Sequence, residues 1–179
     1  MNKMALCVFC GSQLGADPAY EAAAKALAKG MAERHWSLVY GGGDAGLMGV
    51  VANACIEEGC EVLGVIPQFL DETEIIHPDL DELVIVDSMA ERKQIMEERC
   101  DAFCILPGGF GTLDEMFEFI ALSQLKQHDK PVILLNINGY YDFLLKQIDV
   151  MIDQGFIKQK YRQLIIEADR PEDLFQYFS

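Results

Sequence analysis

Residues 107–112 read P-G-G-F-G-T and directly follow the apolar run 102–106. A short apolar run of this kind is typical of a buried strand, and the carboxylates of Asp114 and Glu115 come next, where a helix would begin. Backbone that carries little side chain can approach an anion closely, and the amides at a helix start favour negative charge. The stretch therefore predicts a phosphate cradle with a carboxylate beside it.

The same stretch has a purely structural interpretation. Thr112 followed by Glu115 fits a capping box, in which each side chain satisfies a backbone N–H at the helix start. Pro-Gly-Gly is also common in ordinary turns. Further glycine-rich turns at the same edge of the fold would weigh against this alternative.

The elements that must position these residues alternate along the chain. Predicted strands, several of them continuously apolar, span residues 5–9, 37–40, 61–66, 83–86, 102–106 and 131–135. Predicted helices span residues 18–33, 47–58, 89–99, 113–127, 140–154 and 171–178. This alternation indicates an α/β fold, with a Rossmann-like doubly wound parallel sheet and helices on both faces, as a single nucleotide-binding domain over residues 1–179.

In such sheets, ligands bind beyond the carboxyl ends of the strands. The second strand ends in Tyr40 followed by Gly41, Gly42 and Gly43, which gives a second glycine-rich turn at the edge that carries residues 107–112. Two such turns at one edge are harder to explain as turn chemistry alone. The polar loop 68–80 follows the third strand, and loops of that length are often functional.

Residues 41–46 also match the dinucleotide pattern G-x-G-x-x-G. That fingerprint requires the glycines after the first strand and an acidic residue at the end of the next one. Here the glycines follow the second strand, and the acid of the next strand, Glu61, stands at its beginning. A mononucleotide fits these residues better than a nicotinamide dinucleotide.

Composition excludes several classes of function. The 29 acidic against 14 basic residues give a net charge of -15, which argues against nucleic-acid and anionic-membrane binding. No signal peptide or bilayer-spanning run stands out, so a cytoplasmic location is expected. Cys7 and Cys10 form a C-x-x-C with no second pair at metal spacing, so we expect no metal, no cofactor and buried free thiols.

Residues 88–93, S-M-A-E-R-K, together with P-G-G-F-G-T-L-D-E at 107–115 resemble the LONELY GUY family of cytokinin riboside 5′-monophosphate phosphoribohydrolases. The resemblance covers nearly the whole chain, up to Asp129-Lys130-Pro131 at the entry to the sixth strand. It implies hydrolysis of the N-glycosidic bond of a purine nucleoside 5′-monophosphate, either AMP or a cytokinin riboside 5′-monophosphate. The products would be the free base and ribose 5-phosphate, and the protein would be a homodimer.

By position, the resemblance implies that Arg92 and Glu115 are the catalytic pair. The substrate-contacting positions of the family correspond to Glu74, Lys93, Gly109, Phe110, Gly111, Thr112, Leu113 and Asp114. Ala90 stands where the family often has His, and Ala121 stands where plant members have a substrate-contacting Thr. These departures leave the preferred base unassigned.

The residue types suit that reaction. Positive charge develops on the ribose as the bond breaks, and a carboxylate such as Glu115 can stabilise it or activate the attacking water. A helix start would favour the ionised form of Glu115. Arg92 could hold Glu115, the ribose hydroxyls or the leaving base. The 5′-phosphate would bind at Gly109–Thr112, with residues 41–43 lining the other side.

Two other functions fit the same glycine turns. A non-catalytic nucleotide or cofactor carrier, as in the related molybdenum-cofactor carriers, would keep the turns without needing Arg92 and Glu115. A nucleotide-sensing partner protein would use the pocket to govern assembly. Family members have also been labelled lysine decarboxylases, but no lysine here stands in a recognisable pyridoxal-phosphate context.

Overall fold

The computed structural model describes residues 3–71 and 75–178. Within them, seven strands form one sheet in the order β4-β3-β2-β1-β5-β6-β7, and every neighbouring pair is parallel. The strands are β1 Ala5–Phe9, β2 Ser37–Tyr40, β3 Val62–Pro67, β4 Glu82–Val86, β5 Ala102–Ile105, β6 Val132–Leu135 and β7 Ile165–Ala168. The predicted parallel α/β sheet is confirmed.

Helices cover both faces of this sheet. They are α1 Pro18–Glu33, α2 Gly46–Glu57, α3 Gln68–Asp71, α4 Met89–Glu98, α5 Phe110–Gln124, α6 Asp142–Asp153 and α7 Pro171–Tyr177. Side chains that alternate along each strand feed two separate cores. One core packs against α1, α2 and α7, and the other packs against α4, α5 and α6, so both faces of the central strands are buried.

The predicted strands and helices agree with the structure within a few residues, with two omissions. The edge strand β7 was missed because it is only four residues long and Glu167 interrupts its apolar pattern. The short helix α3 lies inside the predicted 68–80 loop. Asp17 caps α1 as its sequence position indicates, accepting from the amide of Ala19 at 2.9 Å.

The direction of the chain reverses beside β1, which lies between β2 and β5. The loops after β1 and β5 meet there, and the amide of Gly11 donates to the carbonyl of Pro107 at 3.0 Å. The amide of Leu47 at the start of α2 donates to Gly11 at 3.0 Å. Three loops are thereby joined at the switch point, where ligands of such sheets bind. Among the described helices, none is long and apolar enough to cross a membrane.

Candidate active site

Helix α5 begins earlier than predicted. Its N-cap is Gly109, Phe110 is its first residue, and no side-chain hydrogen bond caps it. The capping-box interpretation of Thr112 is therefore wrong, because Thr112 lies inside the first turn. Glu115 lies in the second turn, so the helix dipole acts on it less than expected, since that effect falls off within the first turn. The helix dipole instead favours an anion that binds at the amides of the first turn.

The space in front of this turn is open. A Cβ built on Gly109 or Gly111 would meet no atom within 4 Å, whereas one on Gly108 would overlap Thr112. A cavity of about 190 Å³ lies here. It is lined by Cys10, Gly11, Ser12, Met48, Arg92, Gly109, Phe110, Gly111, Thr112 and Glu115. The structure thus brings the predicted cradle and the predicted catalytic pair into one cavity.

Arg92 is held by backbone carbonyls from two strand ends. Helix α4, capped by Ser88, carries it to the cavity, where it is only 6% exposed. Its Nε donates to Val65 at 3.0 Å and its Nη2 donates to Gly41 at 3.1 Å. Two carbonyls fix the plane of a buried guanidinium, so its charge is presented to the cavity in one orientation.

Glu115 reaches the same cavity from α5 and is 8% exposed. Its electrostatic influence is visible in Cys10, which also lines the cavity. Burial first, and then the charge of Glu115, raise the pKa of the Cys10 thiol. Cys10 therefore stays a neutral thiol and is no nucleophile for the reaction. All six cysteines are free and buried, as predicted.

The second glycine turn, residues 41–43, is filled by the protein itself. A Cβ on Gly41 would overlap the guanidinium of Arg92. The carbonyl of Gly42, a residue with φ +80°, accepts from the amide of His77 at 3.0 Å. Gly43 forms an isolated antiparallel bridge with Ile76. The turn lies behind Arg92, and substrate contact by residues 41–43 stays a prediction.

A side-chain network supports this turn from α2. His77 is 4% exposed, and its Nε2 lies 3.2 Å from the Oδ1 of Asn53. The amide of Asp79 donates to its Nδ1 at 3.2 Å, so Nε2 carries the proton and donates to Asn53. The amide nitrogen of Asn53 in turn donates to the carbonyl of Gly49 at 2.8 Å. No local sequence pattern marks this pair, because the two residues are 24 positions apart.

The ammonium group of Lys93 forms ion pairs with acidic residues of α5. Its Nζ lies 3.1 Å from Asp114 and also pairs with Glu118. Burial lowers the pKa of Lys93, but the hydrogen bonds that it donates to Glu118 and Asp114 outweigh that effect, and the pKa lies above its usual value. Lys93 therefore ties α4 to α5.

The remaining residues that were predicted to contact the substrate lie in different surroundings from one another. Phe110 is 95% exposed at the rim of the cavity, and Leu113 packs partly buried against the core of α4, α5 and α6. Glu74 lies outside the described residues.

A second cavity, of about 250 Å³, adjoins the first and shares Gly11, Ser12 and Gly109 with it. Its far side includes Tyr20 and Tyr140. No sequence motif marks these tyrosines. Their place beside the cavity depends on the tertiary fold, which brings the turn after β6 beside the turn after β5.

Comparison with known proteins places the chain in a family. Residues 48–178 match the family described as possible lysine decarboxylase. A cytokinin riboside 5′-monophosphate phosphoribohydrolase of Arabidopsis thaliana is 47% identical over 171 residues, covering 96% of this chain and 75% of the relative. A probable cytokinin riboside 5′-monophosphate phosphoribohydrolase of Oryza sativa subsp. japonica is 47% identical and covers 96% and 77%.

Solved structures extend the comparison to the fold. The molybdenum cofactor binding protein from the phototrophic bacterium Rippkaea orientalis superposes with a TM-score of 0.72 at 24% identity, over 99% of this chain and 96% of that one. The molybdenum cofactor carrier protein of Chlamydomonas reinhardtii gives 0.72 at 20% identity, with the same coverage. At these identities, the likeness concerns the fold alone.

Proposed function

This chain belongs to the LONELY GUY family of cytokinin riboside 5′-monophosphate phosphoribohydrolases, and on that premise we propose that it hydrolyses purine nucleoside 5′-monophosphates. Water would cleave the N-glycosidic bond of AMP or of a cytokinin riboside 5′-monophosphate, giving the free base and ribose 5-phosphate. One observation carries the proposal: Arg92 and Glu115 line the same cavity as the uncapped, open start of α5.

The first turn of α5 would hold the 5′-phosphate. Gly109 and Gly111 leave room for phosphate oxygens at van der Waals distance from the backbone. The turn has no side-chain cap, so its amides are served by a ligand or by water. The dipole of a fifteen-residue helix adds to this attraction. A protein with a net charge of -15 can bind an anion here because the field of this turn is local.

Glu115 would then act at the ribose. It lies about 1.7 turns beyond the N-cap Gly109 on the same helix, which suits the span from a 5′-phosphate to the anomeric carbon. Its carboxylate would stabilise the oxocarbenium charge or take a proton from the attacking water. In a cavity where Glu115 is 8% exposed, such electrostatic stabilisation is stronger than in bulk water.

Arg92 would supply a fixed positive charge on the other side of the cavity. Val65, Gly41 and the sulfur of Met89 take three of its five N–H groups, which leaves two donors for ribose hydroxyls or the leaving base. For Lys93 we propose a supporting role, since its ion pairs hold α4, the helix of Arg92, against α5, the helix of Glu115. Contact of Glu74 with the substrate remains part of the proposal on the strength of the family alone.

The test is release of free base from a panel of nucleoside 5′-monophosphates, resolved by chromatography. Wild-type protein should release adenine or a modified adenine together with ribose 5-phosphate. Glu115→Gln should lower turnover roughly a hundred- to ten-thousandfold, because it removes the charge and the base without changing the shape. Glu57→Gln is the matched control, the same substitution at an exposed position of α2 that does not line this cavity.

Three results would contradict the proposal. Wild-type protein that is folded and binds monophosphates without releasing base would point to the carrier function. Equal turnover by the wild type and Glu115→Gln would remove Glu115 from the chemistry. Ligand-dependent self-association without turnover would favour the sensing function.

We further propose a cytoplasmic homodimer that binds neither nucleic acid nor membranes. Free buried cysteines suit a reducing compartment, and the net charge of -15 disfavours nucleic acid. Two exposed apolar side chains, Phe117 on α5 and Leu125 at the C-cap of α5, offer a surface for a second copy. Sedimentation equilibrium should give twice the chain mass of 20.0 kDa, and Leu125→Glu should shift it toward the monomer.

A further inference from the structure

The turn between β6 and α6, residues 136–141, is held in one conformation by hydrogen bonds of its own. Asn138 and Gly139 adopt left-handed conformations with φ 52° and 72°. The Oδ1 of Asn136, an 8% exposed residue, accepts from the amide of Tyr141 at 2.7 Å, and its Nδ2 donates to Asp142 at 2.8 Å. A turn with its backbone fixed in this way can place its side chains accurately.

Both tyrosines of this turn reach the loop after β5. The hydroxyl of Tyr140 donates to the carbonyl of Gly108 at 2.7 Å, and the hydroxyl of Tyr141 donates to the carbonyl of Leu106 at 2.8 Å. The carbonyl between them, that of Pro107, accepts from Gly11 at 3.0 Å. Three consecutive carbonyls are thus fixed immediately before the start of α5.

Fixing the carbonyl of Gly108 also fixes the amide of Gly109. Both groups belong to one peptide unit, which is planar and trans, so they point to opposite sides of the chain. The hydrogen bond from Tyr140 therefore sets the direction in which the amide of the N-cap residue points. Gly109 has no side chain that could hold that plane by packing.

The β6–α6 turn is anchored on its other side as well. The Nδ2 of Asn138 donates to Asp17 at 2.9 Å, and Asp17 caps α1. The ring of Tyr140 meets the ring of Tyr20 edge-on, with centroids 5.5 Å apart and an interplanar angle of 75°. Tyr140 is thus held by α1 while its hydroxyl holds the loop after β5.

From this geometry we infer that Tyr140 and Tyr141 are positioning residues for anion binding: their hydroxyls orient the backbone of residues 106–109, so that the amide of Gly109 is presented to the phosphate of the ligand. The inference rests on the proposed function in so far as that phosphate is the 5′-phosphate of the substrate. The phosphate-binding step itself does not require catalysis.

The experiment measures binding without turnover. Calorimetry with ribose 5-phosphate compares the wild type, Tyr140→Phe and the matched control Tyr20→Phe, which loses a hydroxyl from the other ring of the same pair. Tyr140→Phe keeps its ring and should bind ribose 5-phosphate roughly fivefold to tenfold more weakly, the worth of about one hydrogen bond. Tyr20→Phe should bind it as the wild type does.

Free adenine serves as the probe that lacks a phosphate, and its affinity should be the same in all three proteins. Equal ribose 5-phosphate affinity in Tyr140→Phe and the wild type would overturn the inference. Equal loss of affinity for both ligands would also overturn it, since a general disturbance of the cleft would explain that result.

Tyr141→Phe provides a second variant. The carbonyl of Leu106 is buried, so this variant should lose thermal stability together with affinity for ribose 5-phosphate.

Turnover measurements separate this inference from the proposed function. Base release by the wild type with unaltered KM in Tyr140→Phe would defeat the inference alone. Absence of base release, with weaker ribose 5-phosphate binding in Tyr140→Phe, would defeat the function alone.

Discussion

The two glycine turns at the carboxyl edge of the sheet look alike in sequence and differ in what occupies them. Residues 41–43 are buried, and protein groups surround them: the guanidinium of Arg92 at Gly41, the amide of His77 at Gly42 and the bridge from Ile76 at Gly43. Gly109 and Gly111 are exposed, and a Cβ on either would meet open space.

The absence of a side chain at glycine has a different consequence in each of the two turns. In the 41–43 turn, it lets another part of the protein approach the backbone, so the turn positions a catalytic candidate. In the turn that begins α5, it leaves the backbone accessible from outside, so the turn can receive a ligand. Substitutions at the two turns should therefore separate stability from ligand affinity.

Gly41→Ala should have the largest effect. The new methyl group would overlap Arg92, which must then leave the carbonyl of Gly41. Overpacking of this kind costs about 1–3 kcal/mol of unfolding free energy. Turnover should fall with it, because the guanidinium loses its orientation. Urea unfolding and base release measure the two effects, and a variant with both wild-type stability and wild-type turnover would show that Arg92 does not occupy the space at Gly41 in solution.

Gly111→Ala should leave the fold intact and weaken ligand binding. Alanine is a better helix former than glycine, so we expect unfolding free energy within about 1 kcal/mol of the wild type. The methyl group would occupy the space in front of the amides, and affinity for ribose 5-phosphate should drop roughly tenfold or more. Wild-type affinity measured by calorimetry would mean that the phosphate binds elsewhere.

Asn53→Ala tests the support of the 41–43 turn at a distance from Arg92. It removes the hydrogen-bond acceptor of the buried Nε2 of His77 and leaves only the carboxylate of Asp44, 3.7 Å away, so we expect a cost of about 1 kcal/mol in urea unfolding. Affinity for ribose 5-phosphate should change little, since the α5 turn is untouched. Glu57→Ala, an exposed position on the same helix, is the control. Loss of phosphate affinity without loss of stability would contradict the division between the turns.

Lys93 joins α4, the helix of Arg92, to α5. Its substitution should have the smallest effect on unfolding free energy. Its pKa is raised in the folded protein, so its contribution to stability is complete below the usual value of 10.5 and is lost as pH rises through the raised value. Lys93→Met should therefore flatten the dependence of unfolding free energy on pH above 10.5. An alkaline unfolding profile as steep as that of the wild type would show that the ion pairs with Asp114 and Glu118 are absent in solution.

Sequence alone determined the fold class and six of the seven strands, and it placed Arg92, Glu115 and residues 109–112 at one edge of the sheet. The inner strands β1, β2, β3, β5 and β6 are mostly apolar and buried on both faces, a pattern that tertiary contacts reinforce. In a parallel sheet, the carboxyl ends of the strands share one edge, so motifs there had to converge. Arg92, Glu115 and residues 109–112 are together for that reason.

Only the tertiary structure decided which glycine turn is open. Local sequence describes turn chemistry, whereas the occupancy of a turn depends on side chains such as Arg92 and His77 that arrive from other elements. The start of α5 at Phe110 also escaped local patterns, because an uncapped helix start lacks the side chain that usually marks it. Tyr140 and Tyr141, more than thirty residues from the carbonyls they hold, depend wholly on the packing of β5 against β6.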